Sequence, residues 1–289
     1  MLRGDVAGDA GAATSWRLVA SELPLTGAEN MAIDQALLES VAAGAMPVLR
    51  FYGWRPPCVS LGRNQPSRDA YDPGAAASAG VDIVRRPTGG GAVLHDRELT
   101  YSIAVPVGLL GGPRETYVRV HQALAAGLRI LGIDAQVAPH VPRHRMTSPS
   151  HGVCFQAAAP GEILANGRKL VGSAQRCEAR VILQHGSLLL DGSQDAVAHV
   201  LGVRRAGAQG GSPPVAAPGV ALAPASTETT VASLLGYIPP WGELVSALRT
   251  GFEGALGVRL MAAALSDTES HRARELEARF RSEAWTWRR

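Results

Sequence analysis

Lysine is almost missing from this chain. Of the 28 basic residues among 289, Lys169 is the single lysine and the others are arginine. Asparagine occurs only at Asn30, Asn64 and Asn166, while Ala, Gly and Pro abound. A GC-rich coding bias produces this pattern, because it exchanges Lys for Arg wherever any positive charge will serve. The two cations are not equivalent. Lys carries a compact, tunable ammonium, and Arg a planar fork that effectively never loses its proton. The surviving lysine is therefore either a leftover of drift or a position where a guanidinium cannot substitute.

Cysteine is also scarce. Cys58, Cys154 and Cys177 cannot all pair within one chain and no CxxC occurs, which points to free thiols in a reducing compartment. No apolar run approaches the roughly 18–20 residues of a membrane span. Asp5 and Asp9 sit where a secretion signal would place its apolar core. A soluble, cytoplasmic protein without a membrane partner is expected. Only five Tyr and four Phe are available for base stacking and no recognition motif appears, so nucleic acid is not an expected partner.

What is present is an ordinary globular composition, 46% hydrophobic and 18% charged, long enough to bury a sizeable core. The net charge of +3 hides an asymmetry: residues 85–180 hold 12 basic and 6 acidic side chains. A basic central segment suits an acidic partner or substrate; a solvated face is the alternative.

Residues 1–14 read as a disordered tail and 15–289 as one domain. Asn30 is placed to cap a helix whose apolar positions Ile33, Leu37 and Val41 recur every four residues, with Gly44 as its stop. Short β-like runs follow at 48–52, 58–61 and 81–84, then a longer extended stretch at 92–105. An amphipathic helix is expected over 115–131 and a Pro/His/Ser loop over 138–152. Asn166-Gly167 between two apolar-containing runs is a type I′ hairpin signature. A two-residue turn there pairs Ala165 with Arg168 and Leu164 with Lys169, and puts Lys169, Val171 and Ser173 on one face. A strand is expected over 181–190. Seventeen of the 21 residues at 206–226 are Gly, Pro, Ala or Ser, too little apolar surface to offset ordering, so a flexible loop is expected. Helices over 230–235, 241–256 and 268–280 complete the chain. The irregular interleaving favours a mixed α/β fold with a largely antiparallel sheet over a doubly wound one.

Four places could carry chemistry. In Arg85-Arg86-Pro87-Thr88-Gly89-Gly90-Gly91, leading to His95, the glycines let a ligand approach the backbone and the arginines could hold an anion. It is neither a Walker loop nor a GxGxxG fingerprint; a plain glycine turn is the alternative. Cys154 is a nucleophile if Lys169 stabilises its thiolate, and otherwise a buried, inert thiol. His140, His144, His151 and Cys154 are zinc-type residues at a spacing that matches no standard site, so no metal is expected. Gln184-His185-Gly186-Ser187 could place polar groups at a strand start.

Several blocks, in order, resemble one family: NMAIDQALLE, LRFYGWRPPCVSLGRNQ, RRPTGGGAVLHDRELTYSIAVP, CFQAAAPGEILANGRKLVGSAQR and QHGSLLL, with a terminal WTWRR. They are similar to the lipoate/octanoate protein ligases and transferases. The resemblance implies the biotin/lipoyl protein ligase catalytic-domain fold, with mixed sheets flanked by helices. It is closest to the cysteine-dependent, ligase-like octanoyltransferases, whose nucleophile stands at the position of Cys154. It implies Cys154 and Lys169 as catalytic residues. Arg86, Gly89, Gly90, Gly91 and His95, with Ser173, His185 and Gly186 opposite, would bind the acyl group and carrier arm. The implied donor is octanoyl-acyl carrier protein, and the implied acceptor is a lipoyl-domain protein, either the glycine cleavage H protein or a dehydrogenase E2 subunit. No cofactor is needed. The competing activities are an ATP-dependent lipoate–protein ligase, an amidotransferase between lipoyl-domain proteins, and a non-catalytic lipoyl-domain-binding module.

Overall fold

The computed structural model describes residues 13–67, 71–139, 161–194, 197, 200 and 227–288. Residues 1–12 of the tail expected over 1–14 and the loop over 206–226 therefore lie outside the described residues, as do Cys154, His140, His144 and His151, while Thr14 is not tail but the first residue of a strand. Among the described residues, the strands are β1 (Thr14–Ala20), β2 (Val48–Tyr52), β3 (Cys58–Leu61), β4 (Asp82–Arg85), β5 (Val93–His95), β6 (Glu98–Pro106), β7 (Ala135–Val137), β8 (Ile163–Ala165), β9 (Arg168–Glu178), β10 (Val181–Leu189) and β11 (Val258–Ala262). The helices are α1 (Gly27–Ala42), α2 (Pro73–Ser78), α3 (Pro113–Ile130), α4 (Val231–Leu235), α5 (Trp241–Leu256), α6 (Asp267–Arg281) and α7 (Glu283–Thr286). None of them is long and apolar enough to cross a membrane.

Two sheets form. The larger runs β11-β1-β2-β6-β10-β9-β8-β7, and the smaller β4-β3-β5. β1 lies parallel to both its neighbours, and the other pairs of the large sheet are antiparallel. The fold is thus the mixed, largely antiparallel α/β arrangement expected from the sequence.

Strand alternation sends neighbouring residues to opposite faces of the large sheet. Leu49, Phe51, Ile103 and Ile182 face α3 and α5, meeting Leu124, Leu128, Leu248 and Phe252. Val48, Ala104 and Leu183 face α1 and α6, meeting Met31, Leu38, Leu276 and Phe280. The α3–α5 crossing is close because Gly127 and Gly251 meet there: a Cβ on Gly127 would lie 2.7 Å from the Leu248 Cα.

Three local expectations are corrected. The first helix is capped by Thr26, not Asn30: Thr26 and Glu29 form a reciprocal capping box. Asn30 sits inside the helix, where its amide donates to the Gly53 carbonyl at 3.0 Å. The stretch 92–105 breaks into β5 and β6, because Arg97 adopts a φ of 45° between them. Gln184 to Ser187 occupy the middle of β10 rather than its start.

The hairpin forms as read. Asn166 and Gly167 have φ of 50° and 71°, and Ala165 pairs with Arg168 and Leu164 with Lys169. Its continuation differs, because the register shifts so that Ile163 pairs with Val171. The extra residue is a bulge at Leu170, and Leu170 and Val171 both enter the same core. Cross-strand partners share a face, and Ile163 and Leu164 are adjacent on β8. Lys169 is thereby turned off the face that carries Val171.

Candidate active site

Between the small sheet and the centre of the large one lies a pocket. Its polar wall is His185, Gly186 and Ser187 of β10, Ser173 of β9, and Ser60 and His95 of the small sheet. Met31, Tyr52, Trp54 and Val93 give it apolar surface. Five of the expected binding residues, Arg86, His95, Ser173, His185 and Gly186, are therefore brought together around one space.

Asp34 anchors the pocket from below. Fully buried on α1, it accepts hydrogen bonds from Arg50 Nη1 (2.8 Å), Ser102 Oγ (2.8 Å) and Tyr52 OH (2.9 Å), with His185 Nδ1 at 3.2 Å. Burial opposes its charge, but the hydrogen bond from His185 and the Arg50 guanidinium outweigh it, so the carboxyl titrates below the usual range. The ionised Asp34 fixes the proton of His185 on Nδ1. The His185 Nε2 then accepts from Thr88 Oγ1, at 2.5 Å. Burial holds the His185 ring below its ordinary pKa, against the pull of Asp34, so it is neutral at pH 7.

His95 is held on three sides. Its Nδ1 lies 2.8 Å from Glu98 Oε1, its Nε2 lies 2.7 Å from Ser60 Oγ, and Trp54 stacks on the ring at 3.9 Å and 10°. Ser173 belongs to another chain of hydrogen bonds. Gln184 Nε2 donates to Tyr101 OH at 2.8 Å, which leaves the phenol proton for Ser173 Oγ at 2.8 Å. The Ser173 hydroxyl proton then goes to His121 Nε2, also at 2.8 Å. Burial drives the His121 pKa down to about 3, and the Lys169 ammonium contributes in the same direction. Gly186 makes this arrangement possible. A Cβ there would lie 2.6 Å from the Gly172 carbonyl oxygen and 2.7 Å from the Tyr101 ring.

Arg86 has a different immediate task from the one expected. Its guanidinium donates to the Gly89 carbonyl at 2.6 Å, to Gly91 at 2.8 Å and to Ser60 O at 2.8 Å. It ties the glycine loop to β3 while one side of it faces the pocket. Gly90 takes a φ of 94°, which favours glycine, and its carbonyl presses on Gly62 too closely for any Cβ there. Gly89, Gly90 and Gly91 lie behind Arg86 and do not line the pocket itself.

Lys169 is buried, with its Nζ 2.8 Å from Glu162 Oε1. Whether it meets Cys154 falls outside the described residues. Among those residues no group of three His, Cys, Asp or Glu is placed to hold a metal. The residues missed from sequence are Asp34, Trp54, Glu98, His121 and Glu162. Two had a signal. Asp34 lies among the buried positions of a nearly wholly buried helix, and His121 one turn after Tyr117 in an amphipathic one. The partners Glu98 and Glu162 had none, because each meets its cation or imidazole only where the chain reverses, Glu98 at His95 and Glu162 at Lys169.

A slot that sets apolar side chains beside hydrogen-bonded imidazoles suits an uncharged chain ending in a reactive carbonyl, the geometry of an acyl-handling enzyme. Comparison with known proteins sharpens that class. The model of the lipoyl protein ligase A/B catalytic domain matches residues 26–232, and the chain belongs to that family. It is 37% identical to the octanoyltransferase LipM of Kyrpidia tusciae over 290 residues, covering 95% of this chain and 99% of the relative. It is also 37% identical to the octanoyltransferase LipM of Symbiobacterium thermophilum, covering 96% and 99%. Among solved structures, lipoate–protein ligase A bound with ATP aligns with a TM-score of 0.73 at 24% identity, covering 95% of this chain and 99% of that one. The bipartite lipoate protein ligase of Thermoplasma acidophilum aligns at 0.70 and 22%, covering 95% and 96%. At these identities the structural matches establish the fold.

Proposed function

We propose that this protein is an octanoyltransferase of lipoate biosynthesis, which moves an octanoyl group from acyl carrier protein through a thioester on Cys154 to the lysine of a lipoyl domain. The observation that carries the reading is the 37% identity to octanoyltransferases across nearly the whole of both chains. In the first step the Cys154 thiolate attacks the donor carbonyl; a new C–S bond forms and the carrier's C–S bond breaks, releasing the carrier as its thiolate, which takes a proton from solvent. In the second, the neutral acceptor lysine amine attacks acyl-Cys154; a C–N bond forms, the C–S bond breaks to return the Cys154 thiolate, and the amine proton passes to solvent. Thioester exchange is nearly isoenergetic and amide formation is downhill, so the sequence needs neither ATP nor a cofactor.

Within this reading Lys169 stabilises the thiolate and the oxyanion, the role suited to a buried ammonium. The pocket between His95 and His185 takes the octanoyl chain. The acceptor is a glycine cleavage H protein or a dehydrogenase E2 subunit, and the reaction is cytoplasmic, in keeping with the unpaired thiols.

The test is intact-mass analysis after mixing the enzyme with octanoyl-acyl carrier protein. An octanoyl adduct that Cys154→Ser removes is expected, and an adduct that persists in that variant sinks the assignment. Efficient modification of the acceptor with lipoate, ATP and Mg²⁺, surviving Cys154→Ala, would establish a ligase instead.

A further inference from the structure

Beside the glycine loop, four arginines from four separate stretches of chain come together. Arg288 Nη2 donates to the Arg63 carbonyl at 2.5 Å. Arg279 and Arg288 both stack on Trp285, 3.9 and 4.0 Å from the ring centroid. Trp285 is itself fixed by a hydrogen bond from its Nε1 to the Arg85 carbonyl, at 2.8 Å. Arg176, near the end of β9, is close enough to feel Arg63 and Arg279. Burial first, and then the charges of Arg63 and Arg279, hold its guanidinium below its ordinary pKa.

Two of these arginines, Arg63 and Arg279, are short of anions among the described residues. Arg176 pairs with Glu178. Arg63 and Arg279 have no carboxylate partner among the described residues, and the buried Nη1 of Arg63 has no hydrogen-bond acceptor there. A buried donor without an acceptor is costly, as is a gathering of like charges. Both costs are relieved by one bound anion.

Its position says what that anion belongs to. Arg63 N–H donates to the Thr88 carbonyl at 2.7 Å, at the base of the glycine loop, and Thr88 in turn holds His185 of the pocket wall. Arg176 follows Ala174, another pocket residue, by two positions on the same strand, about 7 Å further along it. Arg63 and Arg176 are thus linked to the pocket wall through Thr88 and Ala174 without lining the pocket themselves, within reach of the non-acyl end of a donor seated there. They are also partly sunk, with the Arg176 side chain 18% exposed. A slender arm reaches such a place, whereas carboxylates on the surface of a folded carrier do not.

We propose that Arg63, Arg176, Arg279 and Arg288 form a binding site for the phosphate diester in the prosthetic arm of the acyl donor. The proposal rests on the acyl-transfer reading of the pocket. Acyl carriers present their thioesters on phosphopantetheine arms, and a guanidinium fork matches phosphate oxygens in geometry and charge.

The experiment compares octanoyl-pantetheine with octanoyl-4′-phosphopantetheine as donors to a lipoyl-domain acceptor, using the full chain. The phosphorylated donor is expected to show a KM about tenfold lower at similar kcat, the size of one charge-assisted contact. Arg63→Gln and Arg176→Gln should shrink that gap and leave the KM of octanoyl-pantetheine unchanged. Equal KM values for the two donors with the wild-type protein would overturn the proposal, and that comparison needs no variant to fold.

Calorimetry with unacylated 4′-phosphopantetheine and with pantetheine separates this site from the activity. Tighter binding of the phosphorylated compound supports the site even if no donor is turned over, in which case the octanoyltransferase reading fails alone. Binding of ATP but not of phosphopantetheine overturns it in favour of a nucleotide site. Competition by a carrier without its arm, as strong as by the armed carrier, overturns it in favour of surface carboxylates.

Discussion

Lys169 Nζ lies 2.8 Å from the Glu162 carboxylate, with the two side chains 1% and 3% exposed. A buried charge held this closely is sensitive to geometry as well as sign. Lys169→Arg preserves the charge but brings a larger, planar group into a filled site, where overpacking costs about 1–3 kcal/mol. The variant is expected to fold with a lowered melting temperature and to lose at least nine-tenths of its transfer activity (on the order of 1.4 kcal/mol in the barrier). Near-wild-type turnover, measured by acceptor mass, would make the lone lysine a coincidence of composition.

Asp34 accepts from four side chains and sets the tautomer of His185. Asp34→Asn keeps the shape but removes the charge that faces the buried Arg50. Breaking such a pair costs about 3–5 kcal/mol, so a marked loss of stability is expected in urea unfolding. Unchanged stability would mean that Arg50 finds another partner.

Acid should weaken the fold early. An unfolded histidine takes a proton near pH 6.5, whereas folded His121 stays neutral down to about 3. The unfolded chain then binds the extra proton throughout that window, so His121 stabilises the fold above pH 6.5 and this contribution falls as the pH drops, by up to about 1.4 kcal/mol per pH unit. His185 acts with the same sign, since its pKa is also lowered. Comparing urea midpoints at pH 7 and pH 5, the wild type should lose more than His121→Gln. An equal loss in both would remove His121 as a source of acid sensitivity.

Gly186 has no room for a methyl group between the Gly172 carbonyl and the Tyr101 ring. Gly186→Ala should cost about 1–3 kcal/mol by overpacking and break the Tyr101–Ser173–His121 chain. Thermal melting and octanoyl transfer should fall together. A variant with wild-type melting and activity would show that the two strands part easily.

The sequence was most legible where local chemistry decides structure. The Asn166-Gly167 turn needs positive φ at both positions, and it formed with the expected pairing of Leu164 and Lys169. The helix at 115–131 and the strand at 48–52 were written in apolar periodicity, and the matching family blocks gave fold and activity. Legibility failed where distant segments compete. Asn30 looked like a cap, but Thr26 has Glu29 at the spacing that completes a capping box, and Asn30 is held by Arg50 and Gly53. The short edge strand β11 pairs with β1 across more than two hundred residues, and no local pattern records such a partner.

By itself, then, the sequence determined the class of fold, the hairpin that carries the lone lysine, and the residue types available for acyl transfer, because turns, periodicities and motifs act over a few residues. The tertiary structure alone decided which of those residues share a wall. It put Asp34 under His185, Glu98 beside His95 and Glu162 against Lys169, and it turned Lys169 away from Val171 through one bulge. It also stacked Arg279 and Arg288 on Trp285 and brought Arg288 against Arg63. These are matters of packing and of charge in a low-dielectric interior, where partners are chosen by proximity in space.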